Sequence, residues 1–309
     1  MEGNKNAEKF HSNSGARGFF LDMLSGFLMG VAFIIPGFSG GSVAAILGIY
    51  EKLIGAIADI FKSFKKSVIT LLPIALGLVM GVIVLIFPLG WALQAFPLPT
   101  VSLFVGLALG GLPSITDKTR GKITASNITA FTVPAILSAA LCFLPIATDV
   151  NLLNLSFGGY ITLFAVGIIG SSALVIPGIS GSMVLLILGY YNPIVNIITN
   201  HFFKGEDMLS SILVLGSVGA GVLVGFIGIS VIMKVLLAKY QRGTYFAILG
   251  FIIGSVPTVF ISTAKDAGLT LATLPKSPWH WVACAVLLAA GIALSLSLII
   301  IAKKKAKSH

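Results

Sequence analysis

Apolar residues follow one another in long runs along most of this chain, and short polar stretches separate the runs. Runs of about 17–25 residues, the size range of a membrane helix, recur along the chain. Ten runs can be delimited, five in each half of the chain, and each is predicted to be a helical segment. They cover residues 19–35, 42–58, 67–89, 99–115, 126–147, 158–176, 182–200, 209–237, 244–262 and 279–302.

One sequence motif occurs twice, 141 residues apart. The windows 35–50 and 176–191 share ten of sixteen residues and both begin with Ile-Pro-Gly. Such identity between two apolar stretches indicates an internal duplication. Each copy is predicted to be a helix that ends before Pro-Gly, a Ser/Gly turn and a new helix, because proline removes a donor and crowds the preceding turn.

The duplication extends beyond this motif. Pairs of glycines with a spacing of four, which is typical of close helix contacts, recur at an offset of 144 residues. They are Gly77/Gly81 with Gly221/Gly225, and Gly106/Gly110 with Gly250/Gly254. Because five is odd, two units of five segments must enter the membrane from opposite sides, the inverted-repeat plan of many transporters.

We therefore expect an all-α, polytopic membrane protein with two inverted repeats of five helical segments. Residues 1–18 are expected to be a polar cytoplasmic tail, and residues 303–309 a basic cytoplasmic tail. The first membrane repeat is expected at 19–147 and the second, inverted repeat at 158–302.

Composition and charge support a membrane location. The chain is 57% hydrophobic and 10% charged, whereas a soluble domain carries about 25% charged residues. Its net charge of +10 comes from basic residues that fall, by parity, on one side of the membrane, which should be the cytoplasm. The distribution of basic residues thus indicates how the chain is oriented in the membrane, and nucleic acid is not an expected partner. These residues are Lys5, Lys9, Arg17, Lys62, Lys65, Lys66, Lys118, Arg120, Lys122, Lys239, Arg242, Lys303, Lys304, Lys305 and Lys307.

The segments around each Pro-Gly turn are short for full spans. Segments 19–35 and 42–58 have about 17 residues and a length of about 25 Å, less than a hydrocarbon core of about 30 Å. The turns carry no charge, Tyr or Trp, which usually mark an interface. We expect two re-entrant helical hairpins, one from each side, with tips near the midplane. Two full spans would satisfy the same charges and remain the alternative.

The two turns carry the chemistry of an anion site. The first N–H groups of a helix are unpaired and its N-terminal dipole is positive, while glycine admits a ligand and serine adds donors. Two such ends would hold one phosphate or carboxylate, unless the turns are only tightly packed helix connections. The predicted binding residues are Pro36, Gly37, Ser39, Gly40, Gly41, Ser42, Pro177, Gly178, Ser180, Gly181 and Ser182.

Few titratable side chains lie near the apolar runs, and ionisable groups at membrane depth are usually functional. Asp22 is predicted in the first turn of the first helix, where a carboxylate suits the dipole. Glu51 and Lys52 are predicted to form an interfacial pair or to line a pathway. The histidines do not cluster, and neither a metal nor a cofactor is expected. The pathway or gating candidates are Arg17, Asp22, Tyr50, Glu51, Arg120 and Tyr191.

These motifs resemble those of the PopT-type polyprenyl-phosphate transporters of bacteria. The resemblance covers about residues 18–302 and rests on Pro36-Gly37-x-Ser39-Gly40-Gly41-Ser42 with Gly48-Ile49-Tyr50, on Pro177-Gly178-x-Ser180-Gly181, and on Gly106-x-x-x-Gly110-x-x-Pro113. It implies a flippase of the bacterial cytoplasmic membrane that recycles undecaprenyl phosphate, the carrier lipid of cell-wall synthesis, from the outer to the inner leaflet. Alternating access would expose the phosphate at the hairpin tips to each side. The second copy departs more from the family pattern, with Ser182-Met183 in place of Gly-Ser.

Two other functions stay open. Undecaprenyl-pyrophosphate phosphatases also have a Pro-Gly-x-Ser motif, but theirs continues with an arginine where Gly40 and Gly181 stand here. A small-anion transporter or channel would need the same anion site. We expect a transporter rather than an enzyme, with undecaprenyl phosphate and membrane lipids as partners and a homodimer left open as the assembly.

Overall fold

The computed structural model describes residues 16–34, 39–145, 147, 150–153, 155–202, 208–269, 275 and 277–307 of the 309-residue chain. Within these residues the regular elements are all helical, which confirms the predicted all-α class. Seven of the described helices are long and apolar enough to cross a membrane. The chain is therefore a multi-pass membrane protein.

The first half of the chain forms six helices. They are α1 (Ala16–Ile34), α2 (Gly40–Ile46), α3 (Tyr50–Ala58), α4 (Phe64–Ala95), α5 (Pro97–Thr116) and α6 (Ala125–Ala140), with short 3-10 turns at Asp117–Thr119 and Leu141–Phe143. Pro97 occupies the first turn of α5, where a missing backbone N–H costs nothing. The Thr124 side chain caps α6 by accepting from the backbone N–H of Asn127.

The second half forms six more helices, and the first, second and fourth of them match the lengths of their counterparts in the first half. They are α7 (Phe157–Val175), α8 (Gly181–Ile187), α9 (Tyr191–Asn196), α10 (Met208–Lys239), α11 (Gln241–Asp266) and α12 (Pro278–Lys307), with a π-helical turn at Ile197–Phe202 after α9. Both α4 and α10 have 32 residues. At 1.5 Å per residue each is about 48 Å long, more than a hydrocarbon core requires.

The segments that follow the two Pro-Gly turns are not single helices, and this prediction was wrong. Gly48 and Gly189 have φ of 74° and 76° and end α2 and α8. The backbone N–H of the residue after each glycine donates to a carbonyl five residues earlier. Ile49 donates to Ala44 at 3.0 Å, and Tyr190 donates to Leu185 at 2.9 Å. Glycine tolerates this left-handed ending. The second break turns the chain by 106°.

The described helices form two compact units. Unit 1 contains α1–α5 and α12, and unit 2 contains α6–α11. The last segment of each predicted repeat is therefore packed into a unit with helices of the other repeat. That the two repeats are inverted stays a prediction.

Unit 1 is built from two pairs of parallel helices. A Cβ atom at Gly26 would meet the Ile74 carbonyl, and one at Gly30 the Leu78 carbonyl, so α1 and α4 run side by side in the same direction. Residues Gly106 and Gly110 of α5 lie in the same way against Leu288 and Ile292 of α12. Small residues permit such close approach of helix backbones.

Unit 2 repeats this arrangement with its own helices. Gly221 and Gly225 of α10 contact the backbone of Phe164 and Ile168 in α7. Gly250 and Gly254 of α11 contact the backbone of Phe131 and Ala135 in α6. Residue numbers rise together within each pair, so these helices are also parallel. The predicted role of the four glycine pairs in close helix contacts is thus confirmed.

Candidate functional site

The second Pro-Gly turn lies between α7 and α8 of unit 2. Gly178 has φ of 85°, a conformation that glycine adopts without strain. Ser180 is the N-cap of α8, and its Oγ accepts from the backbone N–H of Met183 at 3.4 Å. The Oγ atoms of Ser180 and Ser182 are 2.9 Å apart and hydrogen bond to each other. Two hydroxyls and the start of a helix are thus collected at one point.

Three helices of unit 2 hold this turn in place. A Cβ atom at Gly178 would meet the backbone of Phe251 in α11. One at Gly181 would lie 2.7 Å from the Gly170 carbonyl oxygen and 2.7 Å from Leu174 Cγ in α7. The Ser138 hydroxyl in α6 donates to the Gly178 carbonyl at 3.0 Å. A side chain at Gly178 or Gly181 would therefore clash with α11 or α7, so close packing requires glycine at both positions.

The first motif is described only in part. Pro36 and Gly37 lie outside the described residues. Ser39 and Ser42 are 3% and 2% exposed, and Gly41 is also buried. Gly40 begins α2 with the Phe33 ring against it, 2.8 Å from the position a Cβ would take. The described serines and glycines of this motif are therefore buried, like Ser180 and Gly181 in the second motif.

Asp22 does not lie in the first turn of its helix, as the sequence suggested. α1 begins at Ala16, so Asp22 is in the second turn. Its carboxylate accepts from Lys52 Nζ of α3 at 2.5 Å, and the two side chains are only 15% and 24% exposed. Asp22 therefore joins α1 to α3 inside unit 1.

Glu51 and Lys52 each form an ion pair with another residue, which argues against the predicted pair between them, and the alternative that they line a pathway stays a prediction. Neighbouring residues on a helix point in different directions. Glu51 instead lies 3.3 Å from Lys118 Nζ, in the turn after α5, and both side chains are more than a third exposed. The short helix α3 is thus tied by one residue to α1 and by the next to the end of α5.

The remaining candidates are scattered. Arg120 is an exposed residue that pairs locally with Asp117 at 2.7 Å. Tyr50 is 1% exposed, whereas Tyr191, its equivalent in the second copy, is 37% exposed. Arg17 lies in α1, but its side chain is outside the described residues. Asp22, Glu51 and Arg120 thus lie in unit 1, whereas Tyr191 lies in unit 2.

Sequence reasoning missed Ser138, the ion pair of Lys118 with Glu51, and the breaks at Gly48 and Gly189. Gly48 and Gly189 were visible as part of the repeated Ile-Leu-Gly, which is the signature of a helix C-terminus. Ser138 carried no signal because it stands 40 residues from the turn that it contacts.

The two turns carry hydroxyl groups but no side chains for acid–base chemistry. No residue from 35 to 43 or from 176 to 184 has a titratable side chain. Among the described residues, no group of three or more His, Cys, Asp or Glu could hold a metal ion. Hydroxyl and backbone N–H donors near a helix start suit an oxyanion such as a phosphate.

Comparisons with known proteins give consistent matches. The family model described as undecaprenyl phosphate translocase-like matches residues 29–273. A polyprenyl-phosphate transporter of Staphylococcus aureus is 31% identical over 290 residues, covering 90% of this chain and 95% of that protein. A polyprenyl-phosphate transporter of Vibrio cholerae is 26% identical over 308 residues, covering 89% of this chain and 94% of that protein. No solved structure gives a significant match.

Proposed function

This chain belongs to the undecaprenyl phosphate translocase-like family, and on that premise we propose that it carries undecaprenyl phosphate across the bacterial cytoplasmic membrane. The direction proposed is from the outer to the inner leaflet, as recycling of a carrier lipid for cell-wall synthesis requires. The family description and the names of both relatives are those of transporters and not of enzymes.

One observation carries this proposal. The family match at residues 29–273 spans both copies of the Pro-Gly-x-Ser motif, so the doubled turn belongs to the region shared with the family. A phosphate cannot cross hydrocarbon unaided, since desolvation of an ion is very costly. A transporter of such a lipid needs polar groups at depth for the headgroup, while the polyprenyl tail can stay in lipid.

We propose that the hairpin tips supply these groups. In the second tip the hydroxyls of Ser180 and Ser182 lie at the start of α8, and Gly178 and Gly181 let this turn pack closely against α11 and α7. The serines of the first tip, Ser39 and Ser42, would contribute in the same way. Hydroxyl and amide donors replace the water of a phosphate and bind it without proton transfer.

The helix directions support two repeats that cross the membrane oppositely. If α1 runs outward, its parallel partner α4 does too, and α5 returns after the single residue Phe96. α12 is parallel to α5 and therefore runs inward with it. Within unit 2, α7 is parallel to α10, and an odd number of segments per repeat would make both run inward. We propose that α1 begins and α12 ends on the same side of the membrane, the cytoplasm.

A vesicle assay tests the proposed function. The purified full chain is reconstituted in phosphatidylethanolamine and phosphatidylglycerol vesicles that contain a fluorescent short-chain polyprenyl phosphate. We expect protein-dependent movement of the probe between leaflets, measured by the fraction that an impermeant quencher reaches with time.

Three companion measurements distinguish the alternatives. Empty vesicles and a fluorescent polyprenol without phosphate should show no protein-dependent movement. Flux of free phosphate without lipid movement would instead support a small-anion transporter. Release of inorganic phosphate from a polyprenyl pyrophosphate would show a phosphatase and overturn the proposal.

A further inference from the structure

The second hairpin turn is held by a hydroxyl that neither copy of the motif contains. Ser138 of α6 is 1% exposed, and its Oγ donates to the Gly178 carbonyl at 3.0 Å. Gly178 is the residue at which the chain adopts a left-handed conformation before it enters Ser180 and α8. A hydrogen bond to this carbonyl fixes the peptide plane between Gly178 and Ile179, and thus the direction in which the turn leaves α7.

Ser138 is in turn fixed by α11. The Thr258 hydroxyl donates to the Ser138 backbone carbonyl at 2.8 Å, and Thr258 is 4% exposed. Ser138 lies in the last turn of α6, where helix carbonyls lose their usual α-helical partners. Two buried hydrogen bonds therefore connect α11 through α6 to the turn, all within unit 2.

We infer that Ser138 is a positioning residue for substrate binding. Through the Gly178 carbonyl, Ser138 keeps the turn in the conformation that presents the hydroxyls of Ser180 and Ser182 to a phosphate headgroup. This inference rests on the proposed function, because it assigns Ser138 to the site where the headgroup of the transported lipid would bind. Thr258 acts one step further away, by holding Ser138.

A positioning role has a kinetic signature. Without the Ser138 hydroxyl, a smaller fraction of molecules has the turn in its binding conformation, and the apparent affinity falls by that fraction. We expect KM for the lipid to rise roughly three- to tenfold, the range of one buried hydrogen bond, while the maximal rate per inserted protein stays close to that of the wild type. A defect in folding or insertion would lower the maximal rate and leave KM unchanged.

The experiment compares full-length variants in vesicles with the fluorescent polyprenyl phosphate at varied concentration. Ser138→Ala is tested beside Ser230→Ala, which removes an equally buried hydroxyl that bonds only to Phe226 of its own helix α10. Thr258→Val is tested beside Thr258→Ser, because valine keeps the volume and serine keeps the donor. We expect raised KM in Ser138→Ala, a smaller rise in Thr258→Val, and KM near the wild-type value in Ser230→Ala and Thr258→Ser.

Amide hydrogen exchange of the peptide 176–183 supplies a second measurement that does not depend on transport. Exchange there should be faster in Ser138→Ala than in Ser230→Ala. Equal exchange and equal KM in these two variants would overturn the positioning role. A wild type that moves no lipid would refute the proposed function, and the exchange comparison would then show separately whether Ser138 holds the turn. If Ser138→Ala does not fold, the Thr258 pair decides the question.

Discussion

The Asp22–Lys52 ion pair belongs to the first copy of the sequence alone. The residue 141 positions after Asp22 is Leu163, and the residue 141 positions after Lys52 is Pro193. Leu163 is 1% exposed in an apolar cluster with Leu152 and Val214. Corresponding places near the two hairpins are thus stabilised by a half-buried ion pair in unit 1 and by apolar contact in unit 2.

The Asp22–Lys52 pair should contribute more to stability than the more exposed Glu51–Lys118 pair. Removing one partner of a half-buried pair leaves a poorly solvated charge, so Asp22→Asn or Lys52→Gln should cost about 1–2 kcal/mol, and the double variant should cost less than the sum. The Glu51–Lys118 pair is more exposed and should show coupling below about 0.5 kcal/mol. Double-mutant cycles of unfolding in detergent measure both couplings. Additive effects at Asp22 and Lys52 would contradict this assignment.

At the scale of elements, the long helix α4 contains glycines in two different packing environments. Gly77 and Gly81 lie against the backbone of α1, whereas Gly90 of the same helix α4 has nothing within 4 Å of a Cβ position. Sequence spacing identified Gly77 and Gly81 as contact residues because the small-xxx-small pattern is local. It could not identify α1 as their partner, since several apolar helices carry the same pattern.

Replacing these glycines of α4 should have opposite outcomes. Gly77→Leu forces a side chain into the backbone of Met23 in α1 and should destabilise unit 1 by at least about 3 kcal/mol. Gly90→Leu adds helix propensity in open space and should leave stability unchanged or slightly raised. The yield of monodisperse protein and its apparent melting temperature in detergent measure the difference. A well-folded Gly77→Leu protein would show that α1 and α4 do not pack as described.

The composition of the two units is a property of the whole molecule. α12 lies beside α5 in unit 1, although it comes last in the second half of the chain. A substitution that disturbs the packing of α12 should therefore alter the stability of helices in the first repeat. Gly291 is the residue of α12 that meets the Leu103 carbonyl of α5.

Gly291→Leu tests this composition. We expect faster amide hydrogen exchange in α5, whose apolar 18-residue stretch is 67% buried. Exchange in α10 of unit 2 should not change. Gly228→Leu, at a position of α10 with open space, is the control and should alter neither helix. Faster exchange confined to α10 and α11 would indicate that α12 packs with its own repeat.

Membrane orientation can be tested by labelling single cysteines on a background without Cys142 and Cys284. On the proposed inverted topology, Ser63 and Tyr240 are expected on the cytoplasmic side, and Ser156 and Ser277 on the outer side. An impermeant thiol reagent added to intact cells should label Ser156→Cys and Ser277→Cys. Ser63→Cys and Tyr240→Cys should react only after the cells are opened, and the reverse pattern would place the basic loops outside.

The sequence by itself determined the all-α class, the apolar segments and the turn chemistry. These features depend on interactions within a few residues: helix period, the loss of a donor at proline, and the freedom of glycine. The tertiary structure decided which helices are partners, that Asp22 meets Lys52 and Glu51 meets Lys118, and that Ser138 reaches Gly178. These contacts join residues 30 to 67 positions apart along the chain. Many apolar, glycine-bearing surfaces are equivalent in sequence, and only simultaneous packing of all of them selects one arrangement.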